Sequence, residues 1–246
     1  MVKKLSKKEK KRLKYLESIK KDEKKEEKPK IKTSFKIPKT LIIISSLIIL
    51  IMAYSYYSNL NKPHYTPIKT DTPIVGNPNA SITIKSFSEF QCSYCADFYT
   101  KTYPEIKSKY VDTGKVKFMF YEFPIEQIHP FAFKASEAAR CAYDQGKYEE
   151  YALLLYSRQN QWVKAGPGRF KDYAKELGLN EDQFNKCLDS GVMKEIVRKE
   201  QEEGKSLQIT GTPTFFINNR RIVGARPYED FEKVIESLLT QNNTKN

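Results

Sequence analysis

Cys92 and Cys95 stand three positions apart in the stretch FQCSYCADF, where a strand-like apolar run meets a helix-like run. Residues three positions apart on a helix share one face at about 5–6 Å, which matches the span that a disulfide needs. The pair can therefore close and open without movement of the backbone. A purely structural disulfide gains little from so short a loop, because its entropic benefit grows with loop length. The spacing thus favours reversible redox chemistry.

Cys92 is predicted to open the helix, where unpaired backbone N–H groups and the positive end of the helix dipole stabilise a thiolate. The thiolate is the species that attacks a disulfide, so Cys92 is the predicted nucleophile. Cys95 lies one turn further along and is expected to be more buried and protonated. It is the predicted resolving thiol, which attacks the mixed disulfide formed at Cys92.

Two other interpretations of the pair are a zinc half-site and two unrelated core cysteines. A structural zinc site needs four ligands. The sequence contains only His64 and His129 as histidines, with no second CxxC and no CxxH. We therefore expect neither a metal nor a cofactor, and interpret the pair as redox-active.

The elements that would position the pair follow from the periodicity around it. Ile82–Phe87 predicts a strand before the cysteines, and Val116–Tyr121 predicts a second strand after them. Between these strands, apolar and aromatic residues recur every three to four positions from Cys95 to Tyr110, which predicts a helix. Pro104 lies inside this helix and should kink it, because proline lacks a backbone donor.

The rest of the domain separates into a helical block and a closing hairpin. The segment at about 124–207 has little strand signal and predicts several helices. Strands return at Thr214–Ile217 and Arg221–Val223, joined by two asparagines that suit a hairpin turn, and an amphipathic helix follows Pro227. A strand–helix–strand start implies a parallel pair, to which the hairpin adds antiparallel strands. The sequence predicts an α/β domain with a small mixed sheet, helices on both faces and a helical insertion.

The net charge of +13 is concentrated near the N-terminus. Residues 1–40 hold 17 Lys and Arg against 6 Asp and Glu, which leaves a net charge of only +2 on the rest of the chain. The basic charge therefore belongs to a tail at 1–39 and not to a nucleic-acid-binding face of the domain, so we expect no nucleic-acid partner. Residues 40–57 carry no charge and reach the lower length limit for a transmembrane helix.

The lysine excess before the apolar segment predicts a cytoplasmic N-terminus and an extracytoplasmic domain, held at the cell membrane by a single-pass signal anchor. Residues 58–72 are polar and contain prolines, so we interpret them as a linker to the domain at 73–246. One alternative is a signal peptide cut after the small residues Ala53 and Ser55; another is a tail that binds RNA or anionic lipid. The charged lead is long for a signal peptide, which favours the uncut anchor.

Five motifs occur along the chain in this order: FSEFQCSYC, YVDTGKVKFMFYEFPI followed by IHP, RCAYDQGKYEEY, KCLDSG and GTPTFFINN. In this combination the chain resembles the DsbA-like thiol–disulfide oxidoreductases over nearly all of residues 72–240. The resemblance implies a thioredoxin-like fold with a helical insertion. It also implies that Pro213 is a cis-proline whose loop faces the redox pair. Thr212, just before it, would supply backbone hydrogen bonds to a bound peptide.

By the same resemblance, the chain would donate a Cys92–Cys95 disulfide to reduced exported proteins through a mixed disulfide. A membrane quinone-linked disulfide oxidase would then restore it. Ser93 and Tyr94 stand where strongly oxidising members carry Pro-His or Pro-Tyr. Without an imidazolium beside the thiolate, a milder oxidant is expected, so an isomerase or a reductase of the same fold remains an alternative. A non-enzymatic peptide-binding or metal-carrying module is a third interpretation.

Cys141 and Cys187 lie in two different predicted helices of the insertion. Four cysteines allow three pairings, and we favour 92–95 with 141–187, because this leaves the reactive pair intact. Free thiols are not expected outside the cell. The apolar helical positions of both residues predict a structural disulfide, with a regulatory second redox pair as the alternative.

Three further residues are candidates for tuning the pair. Glu89 and Glu122 could accept the proton of Cys95, although as loop and strand-end residues they could equally be plain surface charges. His129, in the tripeptide Ile-His-Pro, is either a proton handler or a structural residue at a helix start.

Overall fold

A computed structural model provides the structure, and the residues that it describes are 7–23, 38–60 and 65–243. Parts of the predicted basic tail and linker lie outside these described residues, at 1–6, 24–37 and 61–64. The chain divides into two units, one that ends at Ser58 and one that begins at Asn59.

The first unit contains helix α1 (Lys7–Glu23) and all but the last two residues of helix α2 (Lys39–Leu60). Helix α1 is rich in lysine, and its described side chains are exposed. Helix α2 holds an 18-residue window, Thr40–Tyr57, with a mean hydropathy of 2.0 and no residue buried inside the protein. Within the described residues it is the one helix whose length and composition suffice to cross a membrane.

The second unit is built on a five-stranded sheet of order β1-β3-β2-β4-β5. Its strands are β1 (Ile74–Val75), β2 (Ile82–Ser88), β3 (Val116–Glu122), β4 (Thr214–Ile217) and β5 (Arg220–Val223). Strands β2 and β3 are parallel, whereas β4 runs antiparallel to both β2 and β5. Ser88 pairs with Glu122, and Phe87 pairs with Thr214. The ends of β2 and β3 and the start of β4 therefore meet at one edge of the sheet.

Helices cover both faces of this sheet, as predicted. The helix that follows β2 begins with α3 (Ser93–Asp97) and includes α4 (Tyr103–Ile106). Between β3 and β4 lie α5 (Ala132–Asp144), α6 (Tyr148–Ser157), α7 (Gln159–Ala165), α8 (Arg169–Glu176), α9 (Glu181–Ser190) and α10 (Lys194–Ser206). Helix α11 (Tyr228–Asn243) closes the chain. The predicted α/β domain with a helical insertion is confirmed.

The helix after β2 is not the simple kinked helix that the sequence predicted. Two π-helical segments, Phe98–Thr102 and Lys107–Val111, follow α3 and α4 respectively. Pro104 is the second residue of α4, and Tyr103 separates it from the first of these segments. Pro104 has no N–H to donate, so the regular series of backbone hydrogen bonds along the helix is interrupted there. A wider π-helical turn accommodates this interruption without ending the helix.

The core lies mainly on one face of the sheet, where this helix packs. The Phe98 ring lies 4.3 Å from Phe215 and 5.3 Å from Phe231 of α11, measured between ring centroids. Tyr99 stacks on Tyr156 of α6 at a ring-centroid distance of 4.3 Å, which joins the helical insertion to the helix that follows β2. Burial of such rings dominates the stability of a core.

Side chains alternate across a strand, so Phe87 of β2 points to the opposite face. Helix α10 covers that face and comes close to the sheet at Gly204. A Cβ placed on Gly204 would lie 2.4 Å from the Phe123 ring. This position therefore needs glycine for a close approach and not for an unusual backbone angle.

Three details differ from or extend the sequence prediction. Strand β1, a two-residue edge strand paired antiparallel with β3, was not predicted, and neither was the short helix α7. Both are too short to show a periodicity. The hairpin turns at Asn218, whose φ of 53° lies in the left-handed region that asparagine tolerates.

Candidate active site

Cys92 lies at the sheet edge described above, directly after β2 and its short connection. Its φ of −72° and ψ of 120° are extended, and the helix begins with the next residue, Ser93. The Ala96 N–H donates to the Cys92 carbonyl over 3.1 Å, so Cys92 is the residue that caps the helix. The sequence prediction placed Cys92 at this position.

The loop before β4 comes up to Cys92 from a distant part of the chain. The Thr212–Pro213 peptide bond is cis, and the Thr212 carbonyl oxygen lies 3.4 Å from Cys92 Sγ. Two hydrogen bonds hold this loop: Thr214 Oγ1 donates to the Gly211 carbonyl over 2.7 Å, and the Gly224 N–H donates to the Pro213 carbonyl over 2.8 Å. Strand pairing of β2 with β4 thus brings Thr212 to Cys92.

The two thiols are free, and their environments push their pKa values apart. A hydrogen bond with the Cys95 thiol is the main cause that lowers the pKa of Cys92 to about 6; Thr212 and backbone groups of Cys95 and Tyr94 add to it, against the effect of burial. Burial raises the pKa of Cys95 well above its ordinary value, and the hydrogen bond with Cys92 adds to this. At neutral pH, Cys92 is thus a thiolate and Cys95 a thiol.

Exposure separates the two sulfurs in the same direction. Cys92 is 6% exposed and Cys95 is fully buried. Ser93 and Tyr94 are both exposed, and the Tyr94 side chain, 65% accessible, stands free beside the pair. Of the two cysteines, Cys92 is therefore the one that is exposed to solvent, and Tyr94 lies next to it in the chain.

Two glutamines that the sequence analysis missed fix the loop before the helix. Gln159 Nε2, from α7, donates to the carbonyl oxygens of Phe90 and Cys92 over 2.8 and 2.9 Å. Gln91 Oε1 accepts from the Phe131 N–H over 2.9 Å. No signal in the sequence links these residues to the cysteines, because each contact spans at least 40 residues.

Glu89 and His129 meet directly behind the cysteine pair. Glu89 is fully buried, so its interpretation as a surface charge is wrong: the loop that carries it folds inward beneath the helix start. Its Oε1 lies 2.6 Å from His129 Nδ1, and its Oε2 accepts from the Gln91 N–H over 2.8 Å. Burial is the main cause that raises the pKa of Glu89 to about 8.

Glu122 is also buried, and its interpretation as a surface charge is wrong as well. Its side chain lies on the face of the sheet that is covered by the helix after β2. Its Oε1 accepts a hydrogen bond from the Tyr148 hydroxyl over 2.5 Å. Burial raises the pKa of Glu122 to about 7, although the charge of Arg140 opposes this. Its backbone N–H donates to Glu200 Oε2 over 3.0 Å.

Arg140 of α5 carries a charge and yet is only 1% exposed. It forms an ion pair with Glu200 and donates to the Asp71 carbonyl over 2.7 Å. A charged residue flanked by small apolar residues, as in AARCA, was the signal for a buried ion pair. The surrounding apolar residues would otherwise leave the charge without compensation.

Cys141 and Cys187 are joined by a disulfide between α5 and α9, with their Cα atoms 5.8 Å apart. Each is 1% exposed. In the described part of the chain, no group of three or more His, Cys, Asp or Glu side chains is arranged to hold a metal ion.

Comparison with known proteins assigns this architecture to a family. A family model described as thioredoxin matches residues 69–237, more than half of the chain. The chain belongs to the thioredoxin family. Among solved structures, Wolbachia pipientis alpha-DsbA1 is 26% identical to it with a TM-score of 0.64, covering 76% of this chain and 98% of that one. BdbD from Bacillus subtilis, at 23% identity and a TM-score of 0.63, shares the fold over 71% of this chain and 96% of its own.

Relatives by sequence include a Rickettsia prowazekii protein named as a putative protein-disulfide oxidoreductase. It is 24% identical over 75% of this chain and 70% of its own length. The Na(+)/H(+) antiporter NhaA 3 of Salinispora tropica is 30% identical over 70% of this chain, but the chain spans only 26% of that antiporter. The likeness to DsbA-type proteins supports thiol–disulfide exchange as the class of reaction.

Proposed function

We propose that the chain is a thiol–disulfide oxidoreductase that donates a Cys92–Cys95 disulfide to exported proteins through a mixed disulfide. The observation that carries this proposal is the asymmetry of the pair. Cys92 is accessible, is stabilised as a thiolate and lies beside Thr212, whereas Cys95 is sealed below it as a thiol. Such a pair accepts attack at one sulfur and releases the other.

The reaction follows from this geometry in two exchanges. A client thiolate attacks Cys92 Sγ, the Cys92–Cys95 bond breaks, and Cys95 leaves as a thiolate that takes up a proton. A second client thiolate then attacks the client sulfur joined to Cys92, and Cys92 leaves as a thiolate. Two electrons pass from the client to the enzyme; one client proton ends on Cys95 and the other enters the solvent.

The Thr212–Pro213 loop has a role in the first exchange. An extended client segment that lies along this loop would pair with its backbone, as an added strand pairs with a sheet edge. The 3.4 Å between the Thr212 carbonyl and Cys92 Sγ supports this position. A client cysteine that follows the residues paired with the Thr212–Pro213 loop would then lie next to Cys92.

The experiment uses the full chain in detergent, with Cys92–Cys95 oxidised, and a reduced test protein that contains several thiols. We expect the test protein to lose thiols in step with the formation of Cys92 and Cys95 thiols, as counted by mass spectrometry after alkylation. A test protein that keeps its thiols over hours in the presence of equimolar oxidised enzyme would contradict the proposal.

The direction of flow, as oxidase, isomerase or reductase, depends on the reduction potential of the pair. The Cys92 thiolate here has no cationic side chain among the causes that stabilise it; a thiol, a hydroxyl side chain and backbone groups do so. We therefore propose a milder oxidant than one with an adjacent imidazolium. Equilibration with glutathione buffers measures this, since 30 mV corresponds to about 1.4 kcal/mol for two electrons. A potential at or below that of thioredoxin, about −270 mV, would assign the chain to the reductases.

We further propose that α2 anchors the domain outside the cytoplasmic membrane, with the basic tail inside. The support is the apolar window Thr40–Tyr57 together with the lysine excess that precedes it. Mass spectrometry of membrane fractions should find the intact N-terminus, and protease added outside should digest the domain. A mature chain that begins near Tyr56 would identify a cleaved signal peptide instead.

A recycling partner must remove the two electrons that each turnover deposits on the pair. A quinone-linked disulfide oxidase in the same membrane is the proposed acceptor, because it would place the electrons in a diffusible lipid carrier. In quinone-depleted membranes, Cys92 and Cys95 should accumulate as thiols. Retention of the oxidised pair under that condition would exclude this partner.

A further inference from the structure

The connection between β2 and Cys92 is a short loop, residues 89–91, that other parts of the chain hold in place. The Gln91 side chain anchors its centre, because Gln91 Oε1 accepts from the Phe131 N–H over 2.9 Å. This contact does not involve the backbone carbonyl oxygens on either side of Gln91, which belong to Phe90 and Cys92. A further group is needed to hold these two oxygens.

Gln159 of α7 donates to both of them. Its Nε2 lies 2.8 Å from the Phe90 oxygen and 2.9 Å from the Cys92 oxygen, which uses both N–H bonds of the amide group. Gln159 is only 9% exposed, so these hydrogen bonds are shielded from water. The Cys92 oxygen also accepts from the Ala96 N–H over 3.1 Å, at the start of the helix after β2. This oxygen therefore joins the helical insertion to the helix start.

The corner between α6 and α7 fixes the position of Gln159. Trp162, three positions further along α7, is fully buried, and its Nε1 donates to the Leu155 carbonyl of α6 over 2.8 Å. The Trp162 ring also lies 5.3 Å from the Phe170 ring of α8, measured between centroids. Gln159 is thus attached to the packed interior of the insertion, 67 positions away from Cys92 in sequence.

The carbonyl oxygen of Cys92 matters for its sulfur because both belong to the residue that caps the helix. The groups that stabilise the thiolate are the Cys95 thiol, Thr212 and backbone groups of Tyr94 and Cys95. Hydrogen bonds weaken steeply with poor angles, so a rotation of the Cys92 backbone would weaken all of them together. Donation from Gln159 opposes this rotation. It also places the positive end of an N–H dipole beside an oxygen of the same residue as the thiolate.

We propose that Gln159 is a positioning residue through which the helical insertion holds Cys92 and sets how readily its thiolate forms. The proposal rests on the proposed redox function of Cys92 and Cys95. Gln159 acts through the backbone of Cys92 and not on a reacting sulfur. Because a stabilised thiolate favours the reduced pair, Gln159 also makes the chain a stronger oxidant.

The first test is the pH dependence of Cys92 alkylation in the reduced full chain in detergent. Gln159→Met keeps the length of the side chain and removes both donors. The pKa of Cys92, about 6 in the wild type, should rise by about half a unit in this variant. The alkylation rate should then fall about two- to threefold at about pH 5.5 and stay nearly unchanged at about pH 8.

No other group that acts on the Cys92 thiol changes its charge in this range. The titratable groups beside it are Cys95 of α3 and Glu89 of the preceding loop, and His129 lies against Glu89. Burial raises the pKa of Glu89 to about 8 and that of Cys95 well above its ordinary value. Both therefore keep their protons around pH 6, and the midpoint of alkylation belongs to Cys92.

Gln201→Met is the matched control, because it makes the same chemical change at a site away from Cys92. Gln201 of α10 is 8% exposed, and its Nε2 donates to the Pro124 carbonyl over 2.6 Å. Both methionine variants should unfold at a lower denaturant concentration than the wild type, as followed by Trp162 fluorescence. Only Gln159→Met should shift the alkylation midpoint, which a purely structural role would leave unchanged.

Equilibration with glutathione gives a second measurement. At about pH 7, Gln159→Met should be displaced towards the disulfide by about two- to threefold relative to the wild type and to Gln201→Met. Gln159→Glu also keeps the length of the side chain, but its carboxylate accepts hydrogen bonds and brings a negative charge. Its Cys92 midpoint should therefore rise further than that of Gln159→Met.

The outcomes separate the two proposals. Equal Cys92 midpoints in the wild type and Gln159→Met, or equal shifts in the two methionine variants, would overturn the role of Gln159. If Gln159→Met does not fold, Gln159→Glu is compared with the wild type and Gln201→Met by the same criteria. A shifted midpoint in a chain that takes no electrons from the reduced test protein would overturn the redox function alone.

Discussion

The two cysteine pairs of this domain show how burial and position together set the fate of a thiol. Cys92 and Cys95 are three positions apart at a helix start, whereas Cys141 and Cys187 are 46 positions apart on two packed helices. In the first pair, Cys92 is 6% exposed and Cys95 is fully buried, whereas Cys141 and Cys187 of the second pair are each 1% exposed.

The consequence is a difference in what can approach. Cys92 faces the Thr212 carbonyl and the hydrogen-bonding groups that stabilise its thiolate. Cys141 and Cys187 lie among apolar side chains between α5 and α9, where a client thiolate cannot enter. The comparison teaches that reactivity needs one accessible sulfur and a stabilised anion, which the second pair lacks.

The largest expected effect is on turnover. Cys92→Ser should reduce oxidation of a test protein to the uncatalysed background, because the other three cysteines are at most 1% exposed. Cys95→Ser should accumulate mixed disulfides, visible on non-reducing gels, because no resolving thiol remains. The double variant Cys141→Ala with Cys187→Ala should keep its activity at low temperature. Full activity in Cys92→Ser would contradict the proposal that Cys92–Cys95, and not Cys141–Cys187, is the reactive pair.

The pairs should also separate under mild reduction. A small dithiol under native conditions should open Cys92–Cys95 and leave Cys141–Cys187 closed, because the second disulfide is sealed from attack. Alkylation followed by mass spectrometry should label Cys92 in the native chain, where Cys95 is fully buried, and all four cysteines after unfolding in reductant. Labelling of Cys141 or Cys187 in the native chain would point to a second redox centre.

The stability of the domain should depend on the second pair. Closing a 46-residue loop contributes about 4 kcal/mol to the free energy of unfolding on the chain-entropy model. Cys141→Ala with Cys187→Ala should lower that free energy by about this amount. Trp162, the single tryptophan, is fully buried in the insertion, so its fluorescence follows unfolding in denaturant.

Fully reduced wild type is the matched control for that measurement, since it loses the cross-link and keeps its sulfur atoms. It should lose about as much stability as the double variant. A loss confined to the variant would assign the effect to a packing defect.

The smallest effect is on the pH dependence of Cys92. Its pKa of about 6 lies below the ordinary value of 9.0, so its alkylation rate should rise through pH 6 and level off well before pH 9. Cys95 should stay unreactive in the folded chain over this range. Because the Cys95 thiol is the main cause of the lowered pKa, Cys95→Ala should raise the midpoint. Cys95→Ser keeps a donor and should raise it less; equal midpoints in all three chains would contradict this cause.

The sequence by itself determined the features that rest on local patterns. The strand before Cys92, the helix start at the pair and the hairpin at Asn218 follow from periodicity, capping and turn chemistry within a few residues. The helical block and the 141–187 pairing also followed, since both cysteines fall on apolar helix positions and the reactive pair excludes other partners.

Tertiary structure alone decided which distant groups surround the pair. Thr212 meets Cys92 across 120 positions, and Gln159 meets it across 67, through strand pairing and helix packing that leave no local trace. The same holds for burial: Glu89 and Glu122 look like surface charges in sequence, because charged residues are seldom fully buried unless paired. Their raised pKa values and their hydrogen-bond partners depend on burial by the sheet, the helix after β2 and the helical insertion. The chemistry of the cysteines is thus local in origin, and its control is not.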